Sequence, residues 1–389
     1  MSKLAALPVE PADVTPEWLG EALGERFPGV SVASVEVLEI HDGTNSNARL
    51  RVVYDAPCEV DAPCEVDAPC EVDAPCEVDA LREVDAPRLL PEIFFLKLPP
   101  SDPAVRERIN RTGMGRREAL FYQSLAELVP MRVPYPYVAR FDEVSGAFVL
   151  LIEDLDSTGC TLPDTVAALS FEQALPAMRD YAALHVRYED GARREREAGW
   201  VERMPGGSDF GSTMLQYGLD HHRDRLTDAF AELSKLYIER QSAIEDVWDR
   251  GTVTVLQGDS HIGNLFEDHG RVGFLDWGLI QLGTPLRDVG YFITMALSPA
   301  SRREHERELI ERDLAERSEL GGAPIAFDDA WLLYRVHASY FVPAACPLVL
   351  FPEDATPERK RISAAFLERS ECAIEDLDAR GALREVAGI

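Results

Sequence analysis

The chain has no run of eighteen or more apolar residues, so no membrane-spanning helix is expected. It is also short of positive charge. The formal net charge is -30 over 389 residues, which argues against the broad basic face that binds nucleic acid phosphates or an anionic membrane. Seven cysteines are present but no CxxC pair. That speaks against a zinc knuckle or a thioredoxin-like site, and the odd number favours free thiols. The opening stretch, MSKLAALPVEPADVTPEW, has one lysine and an apolar run broken by Pro8 and Glu10. It does not read as a secretory signal, and the expected location is the cytoplasm. The acidity itself suits a cationic ligand.

What is present includes a repeat. From Asp55 the sequence reads DAPCEV four times, then DALREV, then DAP. A stacked hexapeptide β-helix needs an apolar layer per side. Here Val is the only sizeable aliphatic in each DAPCEV copy, and four of the first five copies carry Pro. The expectation is a solvated insertion over residues 55–87, with a cysteine-based metal or redox device as the alternative. It separates two strand-like runs, NARLRVVYD and EIFFLKLPP. Loop-closure entropy grows slowly with length, so a fold can carry such an insert.

Periodicity divides the rest. Thr15 and Pro16 read as N-cap and first residue of a short helix. Strands are expected at 30–40, 47–54 and 93–98, a helix at 113–128, and a hairpin from YVARFDE to AFVLLIED turning at Ser145-Gly146. Beyond residue 153 long helical patterns dominate: 164–190, 212–249, 285–297, 302–319, 327–342 and 357–380. The fold class is α+β, with a sheet-rich first part (1–153), a helix-rich second part (154–389) and a hinge at Glu153-Asp154-Leu155.

The chemistry concentrates in VLQGDSHIGNLFEDHGRVGFLDWG, residues 255–278. A short apolar strand ends at Gly258 and Asp259 follows in a loop. Asn264 opens a hairpin whose return strand is closed by Asp276. One carboxylate and one carboxamide oxygen form a suitable partial shell for Mg²⁺, a hard cation that completes its coordination with water and phosphate. Asp259 is placed to accept a proton from a hydroxyl nucleophile. This is the arrangement of a phosphoryl-transfer site.

The stretch GDSHIGNLF…VGFLDW resembles the motif of the aminoglycoside phosphotransferase and choline kinase-like superfamily, including bacterial small-molecule phosphotransferases related to ecdysteroid kinases. Gln257 stands where that family usually has His. Lys97 in FFLKLP resembles the third-strand lysine that contacts phosphates, and Glu118 in RREALFYQSLA the helix glutamate that pairs with it. VLLIEDL resembles the hinge whose backbone, at Glu153 and Leu155, would hold adenine. YAALHVRY, with His185, resembles the long central helix. RDVGYFI, with Asp288, resembles the segment supporting the catalytic loop. DGTNSNARL takes the place of the phosphate-covering loop, with Gly43, Ser46 and Asn47 as phosphate neighbours, although it has a single Gly and an ordinary hairpin turn reads equally well. The likeness spans residues 35–300.

The resemblance implies a two-lobed protein-kinase-like fold, with an antiparallel sheet lobe and a mainly helical lobe. It implies transfer of the γ-phosphoryl group of ATP, with GTP as the alternative nucleotide, to a small-molecule hydroxyl. Asp259 would be the base, Asn264 and Asp276 the Mg²⁺ ligands, and Lys97 with Glu118 the phosphate anchor. Candidate acceptors are an aminoglycoside or nucleoside antibiotic, a lipid or steroid-like alcohol, and a choline-like amino alcohol. Segment 191–218 is a candidate wall of the acceptor pocket, and YFVPAACPLVLF a candidate apolar lining. A monomer or homodimer is expected. The rival from another class is a catalytically inactive nucleotide-binding scaffold, for which Gln257 and the thin phosphate loop speak. A protein kinase is disfavoured, since no APE-like element follows LDWG. His261, Trp277, His221 and His222 read as loop-stabilising, packing and solvated residues. Asp154 and Asp156 read as solvated hinge acids.

Overall fold

The computed structural model describes residues 6–42, 45–55, 90–204, 209–346 and 355–389. The repeat from residue 56 onward, Gly43, and parts of segments 191–218 (205–208) and 340–351 (347–351) lie outside them. The chain divides into two compact units. One is residues 1–161 together with 276–280; the other is residues 162–275 with 281–389.

The first unit is a sheet with helices. Thr15 starts α1 (Pro16–Gly24): its hydroxyl accepts the Trp18 N–H at 3.2 Å, and Pro16 fills a position whose N–H would be orphaned. Strands β1 (Val32–Asp42), β2 (Ser46–Tyr54), β3 (Ile93–Leu98), β4 (Pro136–Phe141) and β5 (Phe148–Glu153) form one antiparallel sheet in the order β1-β2-β3-β5-β4. On β2, Ala48, Leu50 and Val52 are buried while Arg51 and Val53 are exposed, the period of two that a half-buried strand requires. Trp18, Leu19 and Leu23 of α1 join Leu50, Phe94, Leu96 and Leu151 in the core. Between β3 and β4 come α2 (Pro103–Asn110) and α3 (Met114–Ser124). Helix α2 was not expected, yet its signal is in the sequence: Asp102 accepts the Ala104 and Val105 N–H groups, and Pro103 follows it.

The second unit is mainly helical: α4 (Phe171–Glu189), α5 (Gly191–Ala198), α6 (Asp209–His221), α7 (Asp228–Trp248), α8 (Pro285–Ala296), α9 (Pro299–Glu319), α10 (Phe327–His337), α11 (Phe341–Ala345), α12 (Pro357–Asp376) and α13 (Ala379–Ala387). Four short strands, β6 (Thr254–Leu256), β7 (Leu265–Asp268), β8 (Arg271–Phe274) and β9 (Gln281–Gly283), pair as β6–β9 and β7–β8. Helix α4 packs against α8, α9, β6 and β8. Every residue of α8 is buried, as expected of a helix enclosed on all sides.

The α+β class expected from periodicity holds. Three boundaries differ for local reasons. The pattern at 164–190 becomes helix only at Phe171, where Ser170 and Gln173 form a reciprocal capping box. The pattern at 212–249 breaks because Thr227 caps a new helix. The tail at 357–380 breaks at Asp378, which adopts a left-handed conformation with φ 46°.

Candidate active site

In the helical unit, β6 is wholly buried and delivers the chain to Gln257. Gly258 turns it with φ 88°, a conformation that L-residues with a Cβ rarely adopt. Asp288 on α8 then takes both amides of the turn: Oδ2 accepts the Gln257 N–H at 2.8 Å and Oδ1 the Gly258 N–H at 2.9 Å. His185 Nε2 on α4 stands 3.4 Å from Asp288 Oδ2, and the Thr254 hydroxyl donates to the His185 carbonyl at 2.7 Å. Gln257, in the place where the resemblance expects His, spans the loop. Its amide donates to the Leu275 carbonyl at 2.9 Å, and its oxygen accepts the Asp259 N–H at 2.7 Å.

Asp259 is oriented by Tyr291 and Asn264. The Tyr291 hydroxyl donates to Oδ1 at 2.9 Å. The Asn264 amide nitrogen donates to the Asp259 carbonyl at 2.9 Å and to Oδ2 at 3.2 Å. His261 Nδ1 accepts the Gly263 N–H at 3.0 Å, which puts the proton of the neutral ring on Nε2, 3.7 Å from Asp259 Oδ2. The Asp259 side chain is 23% exposed, so the loop presents this carboxylate to solvent. With the Asn264 nitrogen turned to Asp259, its carboxamide oxygen is the end that points elsewhere. The β7–β8 hairpin pairs Leu265 with Phe274, and the Asn264 carbonyl accepts the Leu275 N–H at 2.8 Å. Asp276 is the next residue in the chain.

In the sheet unit, Lys97 on β3 is buried against α3. Its ammonium lies 2.6 and 2.8 Å from the two oxygens of Glu118 and 3.8 Å from Asp276 Oδ1. Burial opposes the Lys97 charge, but Asp276 and Glu118 outweigh it and raise its pKa above the ordinary value. Burial also pushes Glu118 up to about 7 against the pull of Lys97, with Asp276 adding to the rise. Asp276 has a left-handed backbone, φ 48° and ψ 74°, a strained state for a residue with a Cβ. Its segment is fixed by packing: Trp277 is fully buried and stacks on Phe121 of α3 at 3.9 Å, and the Arg117 guanidinium donates to the Gly278 carbonyl at 2.7 Å. Asn47 sits opposite Lys97 on β2, and Ser46 opposite Leu98. Ser46 lies on the buried face with Ala48 and Asn47 on the opposite face with Arg49, and the Asn47 carboxamide oxygen is buried without a partner among the described residues.

The segment after β5 differs from the solvated acids expected there. Asp154 is buried and accepts two bonds from the Arg49 guanidinium, at 2.7 and 2.8 Å; only Asp156, 3.1 Å from the same guanidinium, is exposed. Glu153 is locked as well. Arg132 grips both carboxylate oxygens, the Tyr135 N–H and Thr158 hydroxyl add to them, and the Glu153 N–H donates to the Tyr135 carbonyl. The Leu155 carbonyl accepts the Cys160 N–H at 2.9 Å.

Two residues of consequence carried no separate signal in the sequence. Arg49 reads as an ordinary outward strand residue. Tyr291 lies inside RDVGYFI, three residues after Asp288, and only that spacing hints at a shared helix face. Among the described residues no cluster of three or more His, Cys, Asp or Glu is placed to hold a metal ion.

The chain thus carries a buried lysine–glutamate pair on a strand and a helix, and an Asp-containing loop followed by Asn and Asp. Residues 91–322, more than half the chain, match the phosphotransferase enzyme family, and the chain belongs to that family. Among solved structures it is similar to a choline kinase from Cryptosporidium parvum, with 9% identity, 94% of this chain and 97% of that one covered, and a TM-score of 0.51. It is also similar to a macrolide 2'-phosphotransferase from Brachybacterium faecium (16% identity, 90% and 97% covered, TM-score 0.42). A third is a spectinomycin phosphotransferase in complex with ADP and spectinomycin (12% identity, 94% and 98% covered, TM-score 0.44). The choline kinase likeness is one of fold: an antiparallel sheet unit and a mainly helical unit, the kinase-like class. No curated protein matches the chain.

Proposed function

We propose that this phosphotransferase moves the γ-phosphoryl group of ATP to a hydroxyl group of a small molecule. The observation that carries the reading is the 257–264 loop: a partly exposed Asp259 carboxylate on a turn pinned by Asp288, oriented by the Tyr291 hydroxyl and the Asn264 amide. Asp259 orients the acceptor hydroxyl and takes its proton. Lys97, kept charged by Glu118 and Asp276, orients the phosphates. Ser46 and Asn47 border them, and the Leu155 backbone holds adenine. Asn264 and Asp276 offer one carboxamide and one carboxylate oxygen, a donor set that fits Mg²⁺. When bound there, the ion neutralises phosphate charge. Few residues suffice, because this chemistry is mainly positioning and charge compensation.

One sequence feature favouring an inactive scaffold is Gln257. Its carboxamide donates to the Leu275 carbonyl and accepts the Asp259 N–H, so the departure from His leaves the loop tethered and that part of the rival's support falls; the thin phosphate loop remains on its side. Kinases of antibiotics and of amino alcohols are both among the structural neighbours, and the acidic chain favours a cationic acceptor of either kind. The test is incubation with Mg·ATP or Mg·GTP and a panel of hydroxylated antibiotics, amino alcohols and sterols, read by mass spectrometry for a phosphorylated product. Thermal shift with nucleotide is followed beside it, in wild type and Asp276→Ala. A product, and a Mg²⁺-dependent shift lost in the variant, are expected. Absence of both in wild type sinks the reading.

A further inference from the structure

Helices α4 and α9 run side by side in the same direction. Near their starts the Phe171 and His305 rings stack at 4.2 Å, and near their ends the Arg317 guanidinium donates to Glu189. Gly322, just past α9, closes that end. A Cβ there would come within 2.6 Å of Val186 Cγ2, and the Gly322 N–H donates to the Arg317 carbonyl at 2.8 Å. One turn back from the Arg317–Glu189 contact, on the same faces of the two helices, stand Asp313 and His185.

Asp313, His185 and Arg317 are fully buried. Both Asp313 oxygens, His185 Nδ1, and Arg317 Nε and Nη1 have no hydrogen-bond partner among the described residues. Burial pushes the Asp313 carboxyl up to about 6; Arg317 and then His185 pull against it, and Glu189 and Glu316 add to the rise. The carboxyl thus senses both side chains without bonding to either. Buried polar groups that face one another from beyond hydrogen-bond reach suit an internal water, which takes about three polar partners.

We propose that an ordered water lies between α4 and α9, bridging Asp313, Arg317 Nε and His185 Nδ1, and that through it Asp313 acts as a positioning residue for the 257–264 loop. Only the catalytic consequence rests on the reading of that loop as the phosphoryl-transfer site. His185 Nε2 faces Asp288 Oδ2 at 3.4 Å, an oxygen that also accepts the Gln257 N–H, so the proton of the neutral ring belongs on Nε2. Nδ1 is then an acceptor. The water donates one hydrogen to Nδ1 and one to Asp313, and accepts the Arg317 Nε–H, so its bonds all run to fixed groups. A ring held at Nδ1 keeps its Nε2–H on Asp288, and Asp288 keeps the Gln257 and Gly258 amides. No proton moves along this chain; it sets orientation.

The experiment compares the full-length wild type with Asp313→Asn, which retains an oxygen for the water, and Asp313→Leu, which does not. Hydrogen exchange at the Gln257 and Gly258 amides is followed by NMR, with the amides of α12 as the reference for the stability of the helical unit. The ¹⁵N shifts of His185, assigned by their loss in His185→Gln, report the tautomer. Asp313→Leu should speed exchange of the two loop amides by about tenfold relative to α12 and move the ring away from the Nε2–H form, while Asp313→Asn stays near wild type. A crystal structure of the wild type should show the water within hydrogen-bond distance of Asp313, Arg317 and His185. Should Asp313→Leu fail to fold, that density and the wild-type tautomer decide the matter alone. Loop exchange unchanged in Asp313→Leu, an acceleration shared equally by α12 or by Asp313→Asn, a wild-type ring protonated on Nδ1, or no water between the three residues overturns the proposal. Faster loop exchange with undiminished hydrolysis of Mg·ATP would support it and sink instead the reading of the loop as catalytic.

Discussion

The two units hold their central charged groups by opposite means. In the sheet unit Lys97 is buried between two carboxylates, one at 2.6 Å and one at 3.8 Å. In the helical unit Asp259 is partly exposed; the Tyr291 hydroxyl and the Asn264 amide donate to its carboxylate, while its own N–H donates to the Gln257 oxygen. The contrast follows from what each group is proposed to do. A lysine that anchors phosphates must stay charged, and adjacent carboxylates secure that even where burial works against it. A carboxylate that must accept a proton is poorly served by a bonded guanidinium, which would hold its pKa down; neutral donors orient it at a smaller cost in basicity. Asp154, gripped by Arg49, shows what the other choice looks like in the same chain.

The largest effects should separate the units most cleanly. Asp259→Asn is expected to lower phosphoryl transfer by about a thousandfold while nucleotide-dependent thermal shift survives. Lys97→Met should instead act on stability. Breaking a buried ion pair costs about 3–5 kcal/mol, and Lys97→Met with Glu118→Gln should recover part of it, as read by chemical denaturation. A Lys97→Met protein as stable as wild type would break the comparison. A middling effect concerns pH. Glu118 is raised from 4.5 to about 7, so the folded chain keeps a proton that the unfolded chain releases, and this contribution to stability is lost as pH rises through that window. The melting temperature of wild type relative to Glu118→Gln should therefore fall between pH 5 and 7. A constant difference would mean that Glu118 titrates in the ordinary range. The smallest effect should come from the repeat. β2 and β3 are antiparallel neighbours, with Arg51 opposite Ile93, so the joint between them tolerates a shorter connection. Halving a flexible loop changes closure entropy by about 0.6 kcal/mol, and deleting DAPCEV copies should move the melting temperature by no more than a few degrees.

Much of the fold was legible because its signals are local. Thr15-Pro16 fixes a helix start, and the alternation of Ala48, Leu50 and Val52 fixes a strand face. The order of Lys97, Glu118, Asp259, Asn264 and Asp276 was legible through resemblance. Long-range partners were not. Nothing adjacent to Asp154 announces Arg49, 105 residues away. Helix α9 reads as solvated from its charges, yet Arg302, Asp313 and Arg317 are buried in it, and burial pushes Asp313 up to about 6. The three-residue strand β9 is too short for a period to register. The β7–β8 hairpin falls in the helical unit and Asp276 in the sheet unit, a division that only tertiary packing reveals.

That division makes the chain path between the units a threefold crossing, at 161–162, 275–276 and 280–281. A fragment ending at residue 161 would keep Lys97 and Glu118 but lack the second carboxylate of their cluster and the indole that covers Phe121. A fragment beginning at residue 162 would carry a five-residue loop whose packing partners had been removed, leaving the Trp277 ring without the surface it lies on. Neither half can be excised as one continuous stretch of sequence, so recombination or truncation that treats residue 161 as a clean joint would damage both products at once.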